Sequence, residues 1–213
     1  FKRGFRNQFI QGIFPLNPNL PNMVGLAFTV RYIPAREDLN TLEVFKNPNH
    51  PQRVAVEKCP KDYVLIFDSR KDPRAASAGA ILVTRLMVKG CAGVVTDGGF
   101  RDSNEIKNLQ IPSYHNRASS PTNLTLHQAV DINVPIGCGD VAVWPRDLLV
   151  GDKEGVVVIP AHIVKEIADE VKFMTIYENF VIEKVGKGSS IKGLYPLTDE
   201  KEKSDFEDWS KSN

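Results

Sequence analysis

Two short stretches of the chain set reactive residue types beside glycines. The first is Gly79-Ala80-Ile81-Leu82, a glycine opening an almost wholly apolar run, and the second is Gly98-Gly99-Phe100-Arg101-Asp102-Ser103-Asn104-Glu105. The first N–H groups of a helix lack intrahelical partners, and the helix dipole favours anions there. The N–H groups of Ala80, Ile81 and Leu82 are therefore candidates to hold a carboxylate, with Gly79 allowing its close approach. Arg101 adds a planar, permanently charged fork for the same group. Asp102 is a candidate ligand for a divalent cation. One carboxylate with water in the remaining positions suits Mg²⁺, which dehydrates reluctantly. Asp102-x-x-Glu105 is also a capping-box pattern, in which Asp102 caps a helix and Glu105 returns to its backbone N–H. A carboxylate has two oxygens and can do both. Asp97, two residues before Gly99, either orients a cation-bound water or closes a turn at a strand end.

Other candidates stand further out. Arg70, Lys71 and Arg74 precede the Gly79 turn and either bind the distal acid group of a dicarboxylate or form a solvated loop. His115 follows a strand pattern and reads as structural, as does Asp152 in a Gly-Asp-Lys-Glu-Gly turn. Cys59, Cys91 and Cys138 form no Cys-x-x-Cys pair, and buried thiols in a reducing cytoplasm are the expectation. The four histidines have no zinc-ligand spacing.

These residues need elements to hold them. "YVLIFD" (63–68) is an apolar run of strand length, of the type buried on both faces. A polar loop follows, then "AILVTRLMVKG" (80–90) as a helix closed by Gly90, and "AGVVT" (92–96) as the next strand. This strand-helix-strand order implies a parallel crossover, and ligands of open α/β sheets gather where such strands end. "SNEIKNL" reads as a short helix and "IPSYH" (111–115) as a strand. Earlier, residues 1–10 read as the end of a basic amphipathic helix, 24–33 as a strand, and Pro51 as the start of a short helix. Beyond 130, short apolar runs predict a second, mixed or antiparallel sheet region. A long helix begins at 160 or 161, with Ile163, Ile167, Val171 and Met174 on one face. The expected organisation is one α/β sandwich domain over 1–186 with a C-terminal helix, then a polar tail or subunit-contacting arm over 187–213.

The 213 residues carry 27 basic and 26 acidic side chains, a formal net charge of +1. That balance gives no reason to expect nucleic acid or an acidic membrane as partner. No run approaches the roughly 18 apolar residues of a membrane helix, and "FKRGFRNQFI" does not read as an intact signal peptide.

The order Gly79, twenty-one residues (80 to 100), then Arg101-Asp102-x-x-Glu105 resembles the signature of the RraA-like / 4-hydroxy-4-methyl-2-oxoglutarate aldolase family. "GLAFTV", "VLIFD", "GAIL", "GVVTDGGFRD" and "IGCGDVAVWPRDLLVGDKEGVVVIP" extend the likeness through most of the chain. The resemblance implies a β/β/α-type sandwich, the phosphohistidine-domain-like swivelling fold, assembling as homotrimers or homohexamers with the site between subunits. It implies that Gly79 to Leu82 bind the pyruvate carboxylate through backbone amides, that Arg101 binds pyruvate too, and that Asp102 holds the metal. Glu105 is then a supporting carboxylate behind it. Where several aldolases of the family carry an acidic residue after the glycine, this chain has Ala80, and the proton-transfer step is affected.

The expected activity is a cytoplasmic class II aldolase or decarboxylase using Mg²⁺ or Mn²⁺. It cleaves a 4-hydroxy-2-keto acid or oxaloacetate to pyruvate through a metal-stabilised enolate, and Arg101, Asp102 and Asp97 carry the chemistry. The alternative is a non-catalytic regulatory binder of the ribonuclease-regulator type, against which the intact Arg101-Asp102 pair counts. A methyltransferase reading lacks a Gly-rich loop after the first strand.

Overall fold

The computed structural model describes residues 1–211 and divides the chain into two compact units, Phe1–Ala161 and the segment from His162 onward. In chain order the first unit contains β1 (Phe14–Pro15), β2 (Met23–Pro34), α1 (Pro51–Lys58) and β3 (Tyr63–Asp68). Then come β4 (Ala76–Ala78), α2 (Ala80–Val88), β5 (Gly93–Thr96), β6 (Gly99–Phe100) and α3 (Ser103–Lys107). The unit closes with β7 (Ser113–His115), β8 (Arg117–Ala118), β9 (His127–Ile132), β10 (Ile136–Cys138), β11 (Val141–Val143), β12 (Leu148–Gly151) and β13 (Val156–Ile159).

The principal sheet runs β1-β7-β5-β3-β2-β12-β13, with β9 also pairing with β2. Its centre, β7-β5-β3-β2, is parallel, and β1, β9, β12 and β13 are antiparallel additions. β3 explains the layering, because side chains alternate across a strand. Leu65 and Phe67 point into a core shared with Val83 and Leu86 of α2, Val56 of α1 and Ile106 of α3. Val64 and Ile66 point the other way, into a core with Ile136 and Cys138 of β10 and Val141 and Val143 of β11. A helix layer thus covers one face, and the β10-β11 hairpin covers the other. This is the α/β sandwich expected from the sequence.

Three differences have identifiable causes. Residues 1–10 are not helical: Phe9 bridges to Val157 and the Ile10 N–H donates to the Val156 carbonyl, while Ile10 and Ile13 are buried. Most of the later strands extend the principal sheet rather than forming a second one; only β10-β11 stands apart. A small parallel sheet, β4-β6-β8, lies where the polar loop and the glycine pair were expected to be irregular. Gly98 and Gly99 have no positive φ. A Cβ on Gly98 would lie 2.6 Å from the Ser69 Cβ, and one on Gly99 2.6 Å from the Ser119 Cβ, so these glycines serve close packing rather than turn geometry.

The second unit is a helical pair, α4 (Val164–Gly186) and α5 (Glu200–Ser210), around Tyr177, Phe180, Val181, Leu194 and Phe206. The first compact unit ends at Ala161, and the second begins at His162. The stretch expected as a polar tail or arm holds a capped helix: the Asp199 side chain accepts from the N–H groups of Lys201 and Glu202. Phe206 and Trp209, three residues apart, supply its apolar stripe. Ser212 and Asn213 of that expected segment lie outside the described residues.

Candidate active site

The crossover from β3 through α2 to β5, and on to α3, brings the Gly79 turn against the Arg101-Asp102 pair. Gly79 is extended (φ −129°, ψ 179°) at the N-cap of α2. A Cβ there would lie 2.6 Å from Arg101 Nε and 2.7 Å from Asp102 Oδ2, so only glycine admits this approach. The Ala80 N–H donates to Asp102 Oδ2 at 3.1 Å, and Arg101 Nε lies 3.5 Å from the same oxygen. Asp102 is left-handed (φ 55°, ψ 37°), a conformation Asp tolerates better than most residues, and its side chain makes no capping bond to α3. The capping box is not formed. Asp102 instead caps the helix before its own, fastening α2 to the start of α3.

The proposed anion cradle is thereby partly used. Ala80 donates to Asp102 and Leu82 to the Gly79 carbonyl, which leaves the Ile81 N–H uncommitted among the described residues. Both charged side chains remain open, with 45% of Arg101 and 43% of Asp102 exposed. Glu105, in the first turn of α3, makes no capping bond back to Asp102.

Asp97 is elsewhere in its commitments. It is 2% exposed, and its carboxylate accepts from the N–H groups of Ser69 (2.7 Å), Lys71 (3.1 Å) and Gly139 (3.1 Å). Burial pushes its pKa up to about 6, against the opposing pull of the Gly139 and Ser69 N–H groups. It ties the loop after β3 to the turn after β10 and is not among the residues lining the cavity beside the Gly79 turn. The loop cations are also engaged: Lys71 pairs with Asp140, Arg74 with Asp72, and the Arg70 guanidinium lies against His127. His115 stacks on Phe100 with ring centroids 5.5 Å apart, and burial pushes its pKa down to about 4. Asp152 accepts from the Glu154 and Gly155 N–H groups, as a turn residue does.

A cavity of about 330 Å³ opens beside the turn, walled on one side by Ala78, Gly79, Leu82 and Arg101. The segment before α1 and α1 itself also line it, through Phe45, Gln52 and Arg53. Reading the sequence missed Gln52 and Arg53. No spacing rule links them to Arg101, and only the β2-α1-β3 connection brings them to the same cavity.

Among the described residues no cluster of three His, Cys, Asp or Glu side chains forms a metal cage. Asp102 fits a different style of site. One oxygen faces the Ala80 N–H and the half-exposed carboxylate is open to solvent, which suits a largely hydrated hard cation and not a tightly ligated soft one.

The comparisons with known proteins concern the chain as a whole. A protein named 4-hydroxy-4-methyl-2-oxoglutarate aldolase from Thermus thermophilus is 30% identical over 122 residues, 57% of this chain and 73% of that protein. One from Halalkalibacterium halodurans, bearing that name provisionally, is 36% identical over 152 residues, 70% of this chain. The match spans 64% of that relative, just under two thirds of its length. Among solved structures, a Streptomyces coelicolor protein described as an unusual member of the RNase ES inhibitor RraA family superposes with a TM-score of 0.74 at 26% identity. It covers 84% of this chain and 85% of its own. The RraA-like family model, Aldolase/RraA, matches residues 1–158, and the chain belongs to that family.

Proposed function

We propose that the chain is a divalent-metal-dependent carbon–carbon lyase that releases pyruvate from a 4-hydroxy-2-keto acid or from oxaloacetate. One observation carries this reading. A half-exposed carboxylate, Asp102, and a half-exposed guanidinium, Arg101, are packed against a helix N-terminus, and Arg101 lines a cavity beside it. The aldolase names of the relatives support it.

Asp102 would hold Mg²⁺ or Mn²⁺, which when bound supplies Lewis-acid polarisation of a keto oxygen. Arg101 binds the substrate carboxylate through its fork, assisted by the Ile81 N–H. Its charge also opposes the negative charge that develops as the C3–C4 bond breaks, and a fixed cation does this without reorganising. Leu82 and Ala78 exclude water from the same wall. Asp97 acts at a distance, holding the 69–71 loop that leads into β4.

The test is pyruvate release from oxaloacetate and from 4-hydroxy-4-methyl-2-oxoglutarate, coupled to lactate dehydrogenase, with Mg²⁺ and with EDTA. Turnover that EDTA abolishes is the expected result. No metal-dependent turnover on either acid favours the regulatory binder, a reading that Asp102's capping bond to α2 keeps in play. Self-association as trimer or hexamer belongs to the same proposal and is read from the solution mass. No helix among the described residues is long and apolar enough to cross a membrane.

A further inference from the structure

The cavity that Arg101 lines is also lined by two consecutive residues of α1, Gln52 and Arg53, each with polar atoms that the fold does not use. Gln52 is 2% exposed, and its Nε2 donates to the Ser77 carbonyl at 2.7 Å and to the Tyr32 hydroxyl at 3.0 Å. A carbonyl can only accept, so these bonds fix which end of the amide is nitrogen. The other end, Oε1, meets no protein donor among the described residues, although Gln52 lines the cavity. Gln52 Oε1 is not one of the fully enclosed unpaired atoms of the described residues, so a donor in the cavity can reach it.

Arg53 lines the same cavity and lies over the Phe45 ring, its guanidinium carbon 4.8 Å from the centroid. Other arginines of this unit face acids: Arg36 faces Asp38, Arg74 faces Asp72, and Arg85 faces Glu57. Arg53 has no acidic partner among the described residues, and the cavity wall contains no Asp or Glu. Arg53, with no acidic partner, and Arg101, which has the 3.5 Å contact with Asp102, thus present two guanidinium groups to one small space. An anion at each end of a ligand satisfies both.

We infer that Arg53 and Gln52 form the subsite for the far half of the substrate, Arg53 binding a second carboxylate and Gln52 Oε1 accepting a hydrogen bond from a hydroxyl near it. The inference deepens the lyase reading and rests on Arg101 taking the keto-acid end. Phe45 holds the guanidinium plane, so that its fork faces the ligand at little entropic cost. Gln52 is a neutral acceptor that orients the hydroxyl and does not remove its proton. Arg53 and Gln52 are therefore specificity and positioning residues. The loop cations Arg70, Lys71 and Arg74 do not line this cavity, and Lys71 and Arg74 are paired with Asp140 and Asp72.

Calorimetric binding of two unreactive ligands to the full chain in Mg²⁺ tests the idea: 2-oxoglutarate, with two carboxylates, and 2-oxobutanoate, with one. Wild type should bind the diacid at least about tenfold more tightly, the scale of a hydrogen bond to a charged group. Arg53→Ala should erase that difference by weakening the diacid alone, and Arg53→Lys should restore part of it. Unchanged monoacid binding reports an intact fold. A ratio that survives Arg53→Ala, or equal weakening of both ligands, overturns the inference, and so does a wild type that binds neither. If the ratio behaves as expected but no acid is turned over, the subsite stands and the lyase reading falls. If turnover is normal but the ratio ignores Arg53, the reverse holds. For Gln52, Gln52→Leu should lower kcat/KM for 4-hydroxy-4-methyl-2-oxoglutarate about tenfold while sparing oxaloacetate, which lacks the hydroxyl. Equal losses on the two substrates overturn its part.

Discussion

Replacing Gly79 by alanine separates the fold from the proposed chemistry. The backbone at Gly79 is extended (φ −129°), so alanine adopts it without strain. The fold loses a residue tolerated at an N-cap and gains a less flexible unfolded chain, two effects of opposite sign and each about 0.5–1 kcal/mol. Stability should change by no more than about 1 kcal/mol, or about 2–4 °C in Tm for a chain of this size. The site is affected far more. The new Cβ would stand 2.6 Å from Arg101 Nε and 2.7 Å from Asp102 Oδ2, whereas ordinary van der Waals contact begins at 3.4 Å. Arg101 must retreat by the difference, about 0.8 Å, and Asp102 by slightly less. Both are half-exposed side chains that can swing aside, which is why folding tolerates the change. A displacement near 1 Å costs a pre-organised site about 10²-fold in rate. The assay is kcat/KM for pyruvate release, with a thermal melt on the same preparation. Wild-type kcat/KM in a folded Gly79→Ala protein would refute the claim that the close approach of Gly79, Arg101 and Asp102 builds the site.

Three further outcomes follow from other parts of the molecule. Asp102→Asn keeps an oxygen for the Ala80 N–H and tolerates the left-handed backbone, so Tm should move little while metal-dependent turnover falls at least about 10²-fold; equal loss of both would point to a purely structural Asp102. For His115, burial lowers the folded pKa from 6.5 to about 4, so the unfolded chain takes up the proton first and stability is lost as pH falls from 6.5 towards 4. Asp97 works in the opposite sense. Its folded pKa is raised from 3.8 to about 6, so it favours the folded state on acidification between those values. Urea midpoints at pH 7 and pH 4.5 should therefore fall less in His115→Gln than in wild type, and an identical fall sinks the assignment. Phe206→Ala removes the centre of the α4-α5 core at a cost of about 3–5 kcal/mol, read as faster amide exchange along α5; unchanged protection would contradict that packing.

The parts of the fold that could be read in advance are those in which one period dominates. "YVLIFD" has strand length and no polar break, and α2 has an apolar run ended by Gly90 in a positive-φ position. β4, β6 and β8 have two or three residues each, too few to establish any period, and their pairing depends on Gly99 packing against Ser119. The amphipathic look of residues 1–10 gave way to an edge pairing that buries Ile10. α5 was hidden by its charge, since only Phe206 and Trp209 mark its inner face. At the site, the types and order of Gly79, Arg101 and Asp102 were visible, but the direction of the Asp102 side chain was not. A capping box assumes that the first residue serves its own helix, and a left-handed Asp102 serves the preceding one. Gln52 and Arg53 give no local signal, because their meaning comes from the wall they face.

The capping bond from Asp102 to Ala80 changes how descendants of this architecture should be judged. An aspartate that latches two neighbouring segments together is worth keeping in a chain that has abandoned chemistry, so its survival is no certificate of activity. The informative losses lie in residues with no such second employment. An Arg101 replaced by an uncharged side chain, or an Ala78 enlarged until the hollow closes, would mark a relative that has retired from catalysis while still carrying the aspartate.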